Sequence, residues 1–393
     1  MEDIEAQREP QTVETRGAVH RLDIAIAIFR LEPAGGLEIH ALRLAEDLAA
    51  RGHRVTMVTT RATQVPSGIE LHRIEPRGFT NHGRIAAFAQ DMARETAGKF
   101  DLVIGFQRMP GLDVLFCGDW CFADRNRQWW KALSPRARTL GALERACFGR
   151  GSDTLLLLLA KPQAEAYRRN YDTEPERIII LPPTLDAKLI PHNIDVSERA
   201  ALRATLRYRP DEIVWLWLGL HPHTKGLDRA VEALALTPAA RLVACGPDPE
   251  GRKIEIIGKK AQALGIADRL TLHGLTKGDA LKDQLRAADL LMHPARLDVT
   301  GMVIAEALAA GLPVIATANC GFAPLVEEAA AGIVVSSEAS PRELAEAGSA
   351  DKATLTRWSQ SAKDYVARTD LSTGMAVAVK AIETLARRKR SQP

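Results

Sequence analysis

Apolar residues follow two rhythms along this chain, short continuous runs and helical spacings, and the two alternate from Leu22 onward. Residues 23–29 read as a buried strand. The segment 37–51 then puts Leu37, Ala41, Leu44, Ala45 and Leu48 on one helical face before Gly52 caps it. Further strand-type runs fall at 55–59, 102–106, 155–159 and 178–181, separated by helical or loop segments. The alternation restarts after Pro182 and Pro183, with strands expected at 213–218, 241–245, 269–273, 289–293, 313–317 and 332–335 and helices at 225–237, 254–265, 279–287 and 302–310. Strands alternating with helices make parallel sheets, so the chain is expected to be α/β. The expected architecture is two Rossmann-like domains with parallel sheets facing across a cleft, at 21–186 and 187–352, with a hinge near 182–195. Residues 1–20 read as a disordered leader, and 353–393 as helical sequence ending in a basic tail, a C-terminal helix that packs back on the first domain.

The 393 residues, 46% apolar and 26% charged, are enough for two separate cores. Lys plus Arg number 52 against 49 Asp plus Glu, a balance too even for a nucleic-acid coat, so no nucleic-acid partner is expected. Five cysteines, an odd number without a CxxC pair, suggest neither a disulfide framework nor zinc and point to a reduced, cytoplasmic setting. The leader carries Glu2, Asp3, Glu5, Glu9 and Glu14 and no apolar run, the reverse of a signal peptide. The greasiest stretch, 155–160, is far shorter than the ~20 residues that span a bilayer.

In open α/β sheets ligands collect beyond the carboxyl ends of the strands, so the chemistry is sought in the loops there. After the first strand, Gly35 and Gly36 stand where a helix begins, either as a tight turn or as a place where backbone N–H groups approach an anion. The matching loop of the second domain runs from Leu218 to Gly226, with Thr224 and Lys225 where a helix is expected to start. Neither GxGxxG nor GxxxxGK[ST] occurs, and no acid ends the second strand, which argues against an NAD dehydrogenase and a P-loop enzyme. Farther on, Asp298 lies in a loop and Glu306 about one turn into the next helix, among apolar Ile304, Ala305, Ala307 and Leu308. A carboxylate so placed can accept two hydrogen bonds from a vicinal diol.

The stretch from Asp298 through Glu306, with Gly311-Leu-Pro-Val-Ile, resembles the E-x7-E region of retaining GT-B glycosyltransferases of family four. Asn81-His-Gly-Arg, the run from Gly105 to Val114, Phe116 to Phe122 and Tyr171 to Arg177 with Leu181-Pro-Pro are similar to the branch that glucosylates the lipopolysaccharide core. The similarity spans about 22–384. It implies that Gly35 and Gly36 contact the donor phosphates, that Lys225 holds the diphosphate and that Glu306 binds the ribose. It further places Asp298 near the donor sugar, the amides after Thr300 and Gly301 over sugar and phosphate, the backbone near Leu275 against the uracil, and Asp119 at the reacting centre as the catalytic or acceptor-orienting acid. Three departures stand out: the family has Glu at Asp298, an Arg at Thr224 and an acid at His40.

The resemblance implies transfer of glucose from UDP-glucose, a substrate and not a cofactor, onto a heptose of the lipopolysaccharide inner core, with retention of configuration. No convincing DxD is present, Asp248-Pro-Glu250 being a Pro-rich turn, so metal-independent transfer is expected. Residues 125–150 hold seven cations against only Glu144; Arg125, Arg127, Trp129, Trp130 and Lys131 are the candidate acceptor or membrane surface. The alternative for that stretch is a solvated basic helix or an RNA contact. The tail cations Arg387, Arg388, Lys389 and Arg390 read as a solvated helix end or an anionic-lipid contact. A peripheral location on the inner face of the cytoplasmic membrane follows from the glycolipid reading. The rival readings are a family-four transferase with another donor or acceptor, a non-hydrolysing sugar-nucleotide epimerase, and a catalytically weak nucleotide-sugar-binding protein.

Overall fold

A computed structural model describes residues 21–32, 36–125, 134–186, 188, 190–192, 194–246 and 251–391. The expected leader, Gly35, Asp248-Pro-Glu250 and, of the basic stretch, Arg127, Trp129, Trp130 and Lys131 lie outside them, as does the side chain of Arg125. In chain order the first unit consists of β1 (Asp23–Ala27), α1 (Gly36–Ala50), β2 (Arg54–Thr59), β3 (Glu70–Arg73), α2 (Asn81–Thr96), β4 (Leu102–Gly105), β5 (Val114–Cys117), α3 (Phe122–Arg125), α4 (Pro135–Phe148), β6 (Leu155–Leu158), α5 (Lys161–Tyr171) and β7 (Ile178–Ile180). The second consists of α6 (Val196–Thr205), β8 (Ile213–Leu218), α7 (Leu227–Ala235), β9 (Ala240–Cys245), α8 (Arg252–Ala263), β10 (Leu270–Leu272), α9 (Gly278–Ala287), β11 (Leu290–His293), α10 (Met302–Ala309), β12 (Val314–Thr317), α11 (Ala323–Glu328), β13 (Gly332–Val335) and α12 (Pro341–Gly348). Two helices close the chain, α13 (Lys352–Arg368) and α14 (Gly374–Ser391).

Both sheets are wholly parallel, a seven-stranded one ordered β3-β2-β1-β4-β5-β6-β7 and a six-stranded one ordered β10-β9-β8-β11-β12-β13. The expected α/β class and paired sheets are therefore present. Parallel strands covered on both faces read as unbroken apolar runs, and β1, β4, β6, β8, β11 and β12 do so. Two strands were not expected. All four residues of β3 are exposed at the sheet edge, so Glu-Leu-His-Arg carries no apolar signal. β5 is buried, but its apolar run is only four residues long. α6 and α12 were missed as well, although both begin with capping boxes, Asp195 with Glu198 and Ser340 with Glu343.

The terminal segment forms helices, as expected, two of them. Asp370 Oδ1 accepts from Ser372 N at 2.8 Å in the break, and Gly374 N donates to Pro183 O at 3.0 Å in the segment that links the two sheets. α13 buries Ala362 and Tyr365 in the second domain's core, whereas α14 puts Met375, Ala378, Val379, Ile382 and Ala386 into the first domain's. Burying a side chain the size of Ile382 is worth roughly 1.5–3 kcal/mol, so the returning helix ties the two units together. The basic tail is partly paired: Lys389 contacts Asp113, and Arg390 Nη2 lies 2.8 Å from Asp101 Oδ1. Those two cations serve docking of α14, not a free basic surface.

Candidate active site

At the carboxyl ends of β8 and β11 two loops meet. His293 ends β11 and is 1% exposed; its Nε2 lies 2.9 Å from Asp298 Oδ2. Lys225 Nζ reaches the same oxygen at 2.6 Å. Burial opposes ionisation of Asp298, but the hydrogen bonds and charges of His293 and Lys225 outweigh it and hold the carboxyl well below the usual range. Burial alone would lower the His293 pKa; the Asp298 hydrogen bond and the neighbouring Cys320 raise it to about 9. Two cations thus share one carboxylate, leaving the cluster net positive at neutral pH. Asp298 Oδ1 accepts no hydrogen bond among the described residues, which leaves it for a ligand hydroxyl.

Lys225 does not start a helix, as the sequence suggested. Gly226 adopts φ +73° and caps α7, which begins at Leu227; only glycine fits there, since a Cβ at 226 would meet Pro294 O at 2.0 Å. This close approach brings the Lys225 loop against the loop that carries Asp298. Arg229, buried, donates to Pro294 O at 3.1 Å and Ala339 O at 2.7 Å. Thr224 contributes its carbonyl, which accepts from Arg296 N at 2.9 Å.

Beyond Asp298, Thr300 O accepts from Phe322 N at 2.6 Å, and Gly301 at φ +72° caps α10 without a side-chain bond. The first N–H groups of α10 are therefore available to an anion. One turn in, the Glu306 carboxyl has no hydrogen-bond or ionic partner among the described residues, and burial raises its pKa to about 6. A partly buried, unpaired carboxyl is costly, and a hydrogen-bond donor is what it lacks. Leu275, 55% exposed, sits in a separate loop after β10, where Gly246 N donates to Gly274 O at 3.0 Å.

The first domain brings a second helix start. Gly36 is the exposed first residue of α1, and its neighbour Leu37 packs so closely on Gly118 that a Cβ there would lie 2.9 Å from it. Asp119 follows, its side chain half exposed and 3.0 Å from Arg108 Nη2. Arg108 Nη1 is fixed in turn 2.5 Å from Glu144 Oε1. The one acid of the basic stretch is thus no surface charge: fully buried, it also accepts from Phe122 N at 2.8 Å, Ala123 N at 3.1 Å and Tyr171 OH at 2.6 Å. The Asp119 carbonyl accepts from Gln163 at 2.8 Å and Tyr167 OH at 3.2 Å. His40 on α1 lies 2.6 Å from Thr184 Oγ1, which is 3.9 Å from Met302 Sδ at the start of α10. Burial, then the Arg43 charge, lowers the His40 pKa to about 4, so it is neutral. The first turns of α1 and α10 therefore meet at Thr184.

Sequence reasoning singled out Lys225, Asp298 and Glu306 but missed His293, Arg296, Arg108 and the hub role of Glu144. His293 had a local signal, a lone polar residue ending an apolar strand; the others depend on long-range pairing. Among the described residues, no group of three or more His, Cys, Asp or Glu side chains could hold a metal ion, and no helix is long and apolar enough to cross a membrane.

Two parallel sheets, the second carrying at its carboxyl end the Lys225–Asp298–His293 cluster and, among the described residues, an unpaired Glu306, are the frame in which the similarities to known proteins are read. Residues 34–189 match Glycosyltransferase Family 4 and residues 198–365 match Glycosyl transferases group 1. The chain belongs to glycosyltransferase family four, with the GT-B fold, and is a glycosyltransferase. It is 34% identical over 366 residues to the lipopolysaccharide glucosyltransferase WaaG of Escherichia coli K12, covering 88% of this chain and 95% of that one. A crystal structure of WaaG, a glycosyltransferase involved in lipopolysaccharide biosynthesis, superposes with a TM-score of 0.83 at 32% identity, over 91% of this chain and 99% of that one. A D-inositol 3-phosphate glycosyltransferase of Mycobacteroides abscessus is 28% identical over 340 residues, covering 77% of this chain and 74% of that one. Anabaena HepE, solved with UDP and glucose, shares the fold at a TM-score of 0.71 and 18% identity, over 93% of this chain and all of that one.

Proposed function

We propose that this protein transfers glucose from UDP-glucose onto a heptose of the lipopolysaccharide inner core, with retention of the anomeric configuration. The observation that carries the reading is the juxtaposition of Lys225, Asp298 and unpaired Glu306 at the start of α10. It is supported by 34% identity across most of the chain to a lipopolysaccharide glucosyltransferase. Glu306 accepts from the ribose hydroxyls, and the N–H groups after Thr300 and Gly301 face the sugar and phosphate. Leu275 lies against the uracil, and Gly35 and Gly36 approach the diphosphate from the other domain. Asp298 Oδ1 takes a hydroxyl of the donor sugar, and Asp119, held by Arg108, orients the acceptor.

In the transfer step the bond from the anomeric carbon to the β-phosphate oxygen breaks as the acceptor hydroxyl attacks from the same face, and the departing phosphate takes the hydroxyl's proton. Negative charge grows on UDP, so the main catalytic work is electrostatic, through Lys225 and the two helix starts. This charge complement needs no metal, and turnover that survives a chelator is the expected result. The acceptor is a glycolipid, which puts the enzyme on the inner face of the cytoplasmic membrane, through the surface that includes Arg125, Arg127, Trp129, Trp130 and Lys131; binding to anionic vesicles weakens with salt.

Purified protein incubated with UDP-glucose and a heptose-terminated core acceptor should release UDP in proportion to a product heavier by one hexose. UDP bound without transfer to any acceptor would support a nucleotide-sugar-binding protein instead. One observation favours a different donor sugar: Asp298 is one methylene shorter than the family's Glu, and its Oδ2 is already committed to His293 and Lys225. A panel of nucleotide sugars decides between the two.

A further inference from the structure

Lys225 sits on an eight-residue loop between β8 and α7, and a lysine contributes little to a transition state unless its backbone is fixed. Arg296, two residues before Asp298, reaches across to that loop. Its Nη1 donates to His223 O at 2.7 Å and to Asp228 Oδ1 at 2.8 Å, while Nη2 donates to Asp228 Oδ2 at 2.7 Å. Its backbone N donates to Thr224 O at 2.9 Å, and its carbonyl accepts from Asn319 Nδ2 at 2.5 Å, so the arginine is itself anchored to the β12 end. Asp228 is the second residue of α7. The fork therefore grips the loop and the helix that follows it at once, and the segment holding the guanidinium also holds Asp298.

We propose that Arg296, with Asp228, is a positioning residue for the transfer reaction: the pair sets the Lys225 loop in register with Asp298, so that Lys225 Nζ meets the diphosphate as it departs. The proposal rests on the donor-site reading above. Arg296 itself is neutralised by Asp228 and acts through Lys225, by geometry. A bidentate fork is what the geometry requires; a point charge at 296 cannot hold the His223 carbonyl and both Asp228 oxygens together.

The test is steady-state kinetics of UDP release, on full-length protein with UDP-glucose and the core acceptor, for Arg296→Gln, Arg296→Lys, Asp228→Asn and Lys225→Ala. Rates are expressed per UDP-binding site, so that loss of folded protein does not count as loss of turnover. Misplacing a catalytic group by about 1 Å costs on the order of 100-fold, so both Arg296 variants and Asp228→Asn should lose roughly 10- to 100-fold in kcat with donor KM changed no more than about threefold. Asp228→Asn supplies the same reading should the Arg296 variants fail to fold. Parental kcat per site in Arg296→Gln or Asp228→Asn, with Lys225→Ala inactive, overturns the clamp and leaves the donor site standing. Recovery of parental kcat by Arg296→Lys also overturns it, since charge alone would then suffice. Parental kcat in Lys225→Ala overturns the donor-site reading itself.

Discussion

Lys225 Nζ and His293 Nε2 converge on a single oxygen of Asp298, at 2.6 Å and 2.9 Å. Asp298 thereby orders two cations, one from the loop after β8 and one from the end of β11, and its other oxygen has no partner among the described residues. Replacing it with Asn leaves two positive groups close together in a buried site, a loss in the range of about 3–5 kcal/mol for breaking a buried pair. The expected outcome is a lower urea midpoint for Asp298→Asn with a strongly reduced kcat. A midpoint within error of the parent would show that the cluster is not the electrostatic unit described.

The pH dependence of that cluster has a definite sign. His293 has a raised pKa, so its contribution to stability is fully present below the ordinary histidine value near 6.5 and is lost as pH rises through about 9. Chemical denaturation between pH 6.5 and 9.5 should show this decline, and His293→Gln should flatten it. In NMR the His293 imidazole should stay protonated at pH 8 in the parent and titrate lower in Asp298→Asn.

Glu306 behaves in the opposite sense to an ordinary paired acid. Its pKa near 6 lies above the unfolded carboxylate value, so the native state binds the extra proton and stability falls as pH rises from about 4.5 to 6. Glu306→Gln should therefore stabilise the ligand-free protein at pH 7 by about 2 kcal/mol, the equivalent of the shift. The same change should weaken UDP binding, and parental UDP affinity, measured by calorimetry, should rise through pH 6 as the carboxylate forms. Flat affinity from pH 5 to 7 would remove Glu306 from the ribose site.

Two glycines at equivalent loops should fail differently. Gly226→Ala puts a Cβ against Pro294 O in a left-handed backbone, so the loop must shift and thermal stability should drop by roughly 1–3 kcal/mol. Gly36→Ala meets nothing within 4 Å and should keep its melting temperature while donor KM rises, because the methyl narrows the approach to the start of α1.

On the acceptor side, Glu144→Gln tests the hub beneath Asp119. Arg108 would lose its buried partner and Phe122 N, Ala123 N and Tyr171 OH a charged acceptor, costing about 3–5 kcal/mol. Arg108→Met with Glu144→Leu would separate stability from positioning: a folded double variant should bind UDP normally yet transfer slowly.

The sequence by itself determined the α/β class, because a strand buried on both faces must be an unbroken apolar run, as Ile213–Leu218 is. It also singled out Glu306, since a lone acid inside Ile-Ala-x-Ala-Leu has no bland place to go. It did not reveal β3, an exposed edge strand without apolar pattern, or that Lys225 lies in a loop whose next residue, Gly226, approaches the backbone of Pro294, 68 positions away, too closely for a Cβ. The partners of Asp298, Arg296 and Glu144 were likewise decided only in three dimensions. Parallel crossovers bring together residues tens of positions apart, and a charged residue reads the same along the chain whether it is solvated or buried in a network; only its distance to a partner separates the two.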